Sequence, residues 1–151
     1  MSFSYLKKMP DPDTIKSEFA LTPEMKALKA DRDQQIADII TGKDDRVLAI
    51  IGPCSADNED SVCEYVNRLT SVQEKIKDRV LIVPRIYTNK PRTTGSGYKG
   101  IASQPDPTKA PDMVEGLIAM RKMHLRAIAE SGFTCADEML YPENWPYVED
   151  L

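Results

Sequence analysis

Histidine is almost missing from this 151-residue chain, which carries only His124. Its three cysteines, Cys54, Cys63 and Cys135, form neither an even set nor a CxxC pair. Disulfide scaffolding and a structural zinc site are therefore both poor readings. Positive charge is not in excess either. A formal net charge of −4 opposes a nucleic-acid partner, because no global field would draw a phosphate backbone in. A local basic site for a small anion is still allowed. Long apolar runs are lacking: the longest, 47–51, is far too short to cross a bilayer, so no membrane partner is expected. The N-terminus, with Lys7, Lys8 and Asp11 among polar residues, has no signal-peptide core. A reducing cytoplasm is the expected location.

What remains is the composition of a soluble globular domain, 41% apolar and 29% charged, which argues against wholesale disorder. Residues 1–21 contain Pro10 and Pro12 and no sustained period, so they read as an arm with at most a short helix. Thr22-Pro23 is an N-cap followed by a first-turn proline. Met25, Leu28, Ile36, Ile39 and Ile40 then keep helical spacing up to Gly42. Residues 46–51, Arg-Val-Leu-Ala-Ile-Ile, are apolar at nearly every position, which predicts a strand buried on both faces. Asp57 or Asn58 can cap a helix whose Val62, Tyr65, Val66, Leu69, Val72 and Ile76 share a face.

A second buried strand is predicted over 80–86, with Pro84 where no ladder bond is needed. A long glycine- and proline-rich loop follows, to about residue 111. Loops of that length in compact domains are usually functional or disordered. Asp112 caps a further helix with Val114, Leu117, Ile118, Leu125 and Ile128 in one stripe, ended by Gly132. Residues 133–140 predict a third strand, and Pro142 opens a last helix. This alternation indicates an α/β fold of parallel βαβ units. A doubly wound sheet and a (β/α)8 barrel both satisfy it.

Active sites of parallel α/β folds lie at the carboxyl ends of the strands. Gly52-Pro53-Cys54-Ser55 follows the first predicted strand. Arg85, Lys90-Pro91-Arg92-Thr93-Thr94 and Gly97-Tyr98-Lys99-Gly100 follow the second, and Asp137-Glu138 lies on the third. The four cations Arg85, Lys90, Arg92 and Lys99, with hydroxyls and glycines nearby, suit an anion site. A solvated basic loop would carry the same residues. Cys54 is open to two readings, a small buried thiol or a thiolate ligand to a divalent metal. His124 reads as a packing or surface histidine rather than a ligand, and Cys63 and Cys135 as core thiols. Neighbours on a strand face opposite sides, so Asp137 and Glu138 do not make an acid–base pair.

These strings occur in the order found in type I 3-deoxy-D-arabino-heptulosonate 7-phosphate (DAHP) synthases, which the chain resembles from about residue 44 onward. Lys90-Pro91-Arg92-Thr93-Thr94 also separates it from the related octulosonate phosphate synthases. The resemblance implies the N-terminal portion of a TIM (β/α)8 barrel, about three βα units, over 44–151, preceded by an arm and helix over 1–43. It implies condensation of phosphoenolpyruvate with erythrose 4-phosphate at the entry to aromatic amino acid biosynthesis, in a homo-oligomer that uses a divalent metal ion. Carried over by position, Cys54 is a metal ligand. Arg85 and Lys90 hold phosphoenolpyruvate, Lys90 also lying near the aldehyde. Arg92 and Thr93 hold the erythrose phosphate, and Glu138 lies beside the phosphoenolpyruvate site. Pro91, Thr94 and Lys99 complete the substrate-binding set.

A closed barrel of this kind takes about 250 residues. The expectation is thus a truncated chain that lacks the family's remaining metal ligands and is inactive alone. Two alternatives stand beside it: a non-catalytic fragment that self-associates or binds a small phosphorylated anion, and an unrelated α/β anion-binding domain. A fused chorismate mutase is not supported, because one N-terminal helix is too little chain for it.

Overall fold

The computed structural model describes residues 7–89, 96–98 and 100–151. Among these the element order is α1 (Pro12–Glu18), α2 (Pro23–Ile40), β1 (Val47–Ile51), α3 (Glu59–Ile76), β2 (Val80–Pro84), α4 (Met113–Ser131) and a 3-10 helix (Pro142–Tyr147). Each helix begins where the sequence supplies an acceptor for its unpaired first amides. Asp11, Thr22, Asn58 and Asp112 cap the four α-helices through their side chains. At the other end of α4, Gly132 takes φ of +71°, the left-handed turn that glycine makes without strain.

β1 and β2 pair in parallel with Val47 opposite Val80 and Ile51 opposite Pro84. Pro84 ends β2, where the next ladder bond runs from the Arg85 amide to the Ile51 carbonyl at 2.8 Å. The predicted third strand is not formed as such. Residues 133–140 touch the sheet through one parallel bridge, Arg85 to Ala136. The reason lies on the outer edge of β2. There the Gln73 side chain donates to the Val80 carbonyl at 2.8 Å and accepts from the Ile82 amide at 2.7 Å. Arg32 donates to the Ile82 carbonyl. Only beyond these two side chains does Ala136 take over, its amide bonding Pro84 and its carbonyl accepting from Ile86, both at 2.8 Å. Two side chains thus occupy the edge that a full strand would need.

The expectation of two strands buried on both faces holds for β2 and fails for β1. Leu81, Ile82, Val83 and Pro84 are buried, whereas Val47 is 63% exposed and Ile50 53%. Nothing among the described residues covers the free side of β1. The core lies between β2 and the paired helices α3 and α4, with Val62, Val66, Leu69, Ile82, Met123, Ala127 and Phe133 in one cluster. Tyr65 and Val72, expected on the buried face of α3, are exposed, and Gln73 is buried in its edge-capping role. In α2 the only buried residue is Arg32, whose guanidinium also lies 5.1 Å from the Phe133 ring centroid. Burial holds its pKa below the ordinary arginine value.

A second cluster of Ile15, Ala102, Leu117, Met120 and Tyr147 binds the arm to the far side of α4. The fully buried Arg121 donates to the Phe19 carbonyl at 2.8 Å, the Tyr147 carbonyl at 3.0 Å, and both oxygens of Asp150. The last predicted helix is a short 3-10 helix, and it ends before the chain does.

Candidate functional site

Cys54 lies just past β1 and is exposed. This overturns the buried-thiol reading. The turn that carries it is held by Arg85, which leaves β2 beside it. The Arg85 Nη2 donates to the carbonyls of Gly52 and Pro53, both at 2.9 Å, and Nε donates to Pro53 at 3.2 Å. Its guanidinium packs over the Tyr87 ring at 4.4 Å. Gly52 is required for this approach, because a Cβ at that position would run into the Arg85 carbonyl. The Ala56 amide then bonds the Tyr87 carbonyl at 2.7 Å. The first two strand ends are therefore laced together through backbone groups.

Arg85 is half-buried, and among the described residues no carboxylate pairs with it. A cation satisfied by carbonyls alone keeps its charge uncompensated, which favours a nearby anion. Glu138 is half-buried two residues beyond the Arg85–Ala136 bridge, so it stands at the same end of the sheet. Lys90, Pro91, Arg92, Thr93, Thr94 and Lys99 lie outside the described residues.

Asp137 turns the other way from that role, as alternation along an extended segment requires. Its carboxylate accepts from the Thr88 amide at 2.9 Å, the Thr88 hydroxyl at 2.6 Å and the Glu138 amide at 2.7 Å. His124 Nε2 lies 3.2 Å from the same carboxylate, and both side chains are under 10% exposed. The expectation of a packing histidine stands, with a buried acid as its partner. Sequence reasoning missed Thr88 and Asn89, both buried at the base of the loop. It also missed Arg32, Gln73 and Arg121, since a polar residue in a helical stripe gives no sign of burial. A cavity of about 220 Å³ lined by His124, Cys135, Asp137, Met139 and Trp145 includes neither Cys54, Arg85 nor Glu138.

A thiolate such as Cys54 is a suitable soft ligand, but a protein site needs at least three donors. Among the described residues no group of three or more His, Cys, Asp and Glu side chains converges. Burial pushes Cys135 up to about 12 and Cys63 up to about 11, so neither is an available thiolate. The described residues do not hold a metal by themselves. No described helix is long and apolar enough to cross a membrane.

The family model described as the DAHP synthetase I family matches residues 19–151. The Tyr-sensitive phospho-2-dehydro-3-deoxyheptonate aldolase of Escherichia coli K12 is 35% identical over 140 residues, 93% of this chain and 39% of that protein. A putative enzyme of the same name from Schizosaccharomyces pombe is 39% identical over 140 residues, 93% of this chain and 38% of that protein. The structure of phospho-2-dehydro-3-deoxyheptonate aldolase from Francisella tularensis superposes with a TM-score of 0.89 at 28% identity, covering 99% of this chain and 43% of that one. The chain spans about two fifths of the length of these curated relatives. Its two parallel strands and flanking helices are consistent with part of a TIM barrel. The family match over most of its length, together with identity above 30% to named members, places the chain in the DAHP synthetase I family.

Proposed function

We propose that this chain carries the substrate-binding strand ends of a DAHP synthase, which joins phosphoenolpyruvate, erythrose 4-phosphate and water into DAHP and phosphate. Residues 44–151 form its barrel portion of about three βα units, the third paired only at Ala136, and 1–43 the arm and helix. The carrying observation is Arg85, a cation without a carboxylate partner among the described residues, fastened to the turn that bears Cys54. In this reading Arg85 and Lys90 bind the phosphoenolpyruvate anion, and Arg92 and Thr93 bind the erythrose phosphate. Pro91, Thr94 and Lys99 complete the substrate-binding set, and Glu138 borders the phosphoenolpyruvate site. Lys90 also faces the aldehyde that carbon 3 of phosphoenolpyruvate attacks. Cys54 contributes one donor to a divalent metal site.

The test joins this chain to the remaining three fifths of the E. coli relative and follows phosphate release with both substrates and a divalent metal. Turnover that disappears on Arg85→Ala supports the assignment. A folded, inactive fusion overturns it.

A second reading is a non-catalytic piece that associates with itself, which would also account for the expected homo-oligomer. It is favoured by the uncovered apolar side of β1, where Val47, Ile50 and Ile51 are exposed. Light scattering on the chain alone tests it. Oligomers lost on Ile50→Lys support it, and a monodisperse monomer defeats it.

A further inference from the structure

Thr88 and Ala102 flank the stretch of sequence that carries Lys90, Arg92 and Lys99, and a backbone hydrogen bond joins them. The Ala102 amide donates to the Thr88 carbonyl at 3.1 Å. Gly116 in α4 sits so close to the carbonyls of Ile101 and Ala102 that a Cβ there would collide with them, so α4 packs directly against residues 101–102. Thr88 itself is fully buried, and its amide and hydroxyl are both taken by Asp137. The same carboxylate takes the Glu138 amide, and His124 closes the fourth side.

We propose that Asp137 is a positioning residue, which fixes the base of the cation-bearing loop and the backbone of Glu138 in one frame. One carboxylate with two oxygens can serve all these donors at once, which a hydrophobic side chain of that size cannot. Its burial makes the arrangement stiff, because each donor it releases would be left without water. Asp137 need not touch a ligand. It holds the two elements that do, in the reading that phosphoenolpyruvate binds between the loop and Glu138, and the inference rests on that reading.

The test compares Thr88→Ser, Thr88→Val and Asp137→Ala in the full chain, reading phosphoenolpyruvate affinity by titration and amide exchange by NMR. Thr88→Ser keeps the hydroxyl donor and is expected to bind within about threefold of the parent. Thr88→Val keeps the shape, loses the donor, and is expected to bind about tenfold more weakly. Its Ala102 and Glu138 amides should exchange faster, with those of α3 unchanged. Asp137→Ala should go further in the same direction. If it fails to fold, the two Thr88 variants still decide. Equal affinities for Thr88→Ser and Thr88→Val, in a parent that binds, overturn the role of Asp137 alone. A parent that does not bind phosphoenolpyruvate overturns the substrate reading and the role with it.

Discussion

The Gln73 side chain accepts the amide proton of Ile82 at 2.7 Å and so stands in for a strand. Its own amide donates to the Val80 carbonyl. One glutamine on α3 therefore repeats, on the outer edge of β2, the two-bond pattern that a neighbouring strand would make. Replacing it by alanine leaves a donor and an acceptor unpaired in the interior. The expected cost is about 1–3 kcal/mol, read as a fall in the denaturant midpoint at unchanged slope. A neutral Gln73→Ala would mean that the 133–136 segment slides down to pair in its place.

Acid should loosen the arm. Burial pushes the Asp150 carboxyl up, but the side-chain hydrogen bonds and charge of Arg121 outweigh it and hold the pKa below the ordinary value. A carboxyl depressed in the folded state stabilises above its unfolded pKa, near 4, and loses that contribution as pH falls through the folded pKa. Stability should drop below about pH 4 in the parent. Asp150→Asn should be weaker by about 1–3 kcal/mol at neutral pH, with part of the acid-induced fall removed. Denaturant titrations from pH 2 to 7 measure both.

The thiols should separate by reactivity. Cys54 is exposed, whereas desolvation pushes Cys63 to about 11 and Cys135 to about 12. At pH 8 those two hold roughly a thousandth and a ten-thousandth of their sulfur as thiolate. Brief iodoacetamide treatment of the native chain should give one adduct, on Cys54, by peptide mass spectrometry, and three after unfolding. Labelling of Cys135 in the folded state would contradict the packing of the third segment.

At Gly52 the usual benefit of alanine should reverse. Glycine-to-alanine changes often stabilise by reducing unfolded-state freedom, but here the new Cβ meets the backbone carbonyl of Arg85. Gly52→Ala should cost about 1–3 kcal/mol and shift the Arg85 Nε–H resonance, as the bonds to Gly52 and Pro53 are displaced. Thermal unfolding and a proton–nitrogen spectrum check the two halves.

Much of this fold was legible because its signals are local. A cap acts within three residues, so Thr22, Asp112 and Gly132 located helix ends well. The clustering of Gly52–Ser55, Arg85 and Glu138 at one sheet end followed from strand direction alone. The stripes were read less well. Tyr65 and Val72 were expected inside, yet Gln73 is the residue buried there. Whether a side chain on a helix flank meets solvent or a bare strand edge depends on where another element stops, and periodicity carries no such information.

The sequence by itself determined the caps, the parallel βαβ order, the first two strands and the membership in a family, because each rests on residue type and near spacing. Only the tertiary structure decided that β1 stays uncovered on one side, that 133–140 pairs only at Ala136, and that His124 and Thr88 meet on Asp137. Those outcomes depend on which distant group reaches a buried donor first. Gln73 and Arg32 reach the edge of β2, and a third strand cannot bond where they already do.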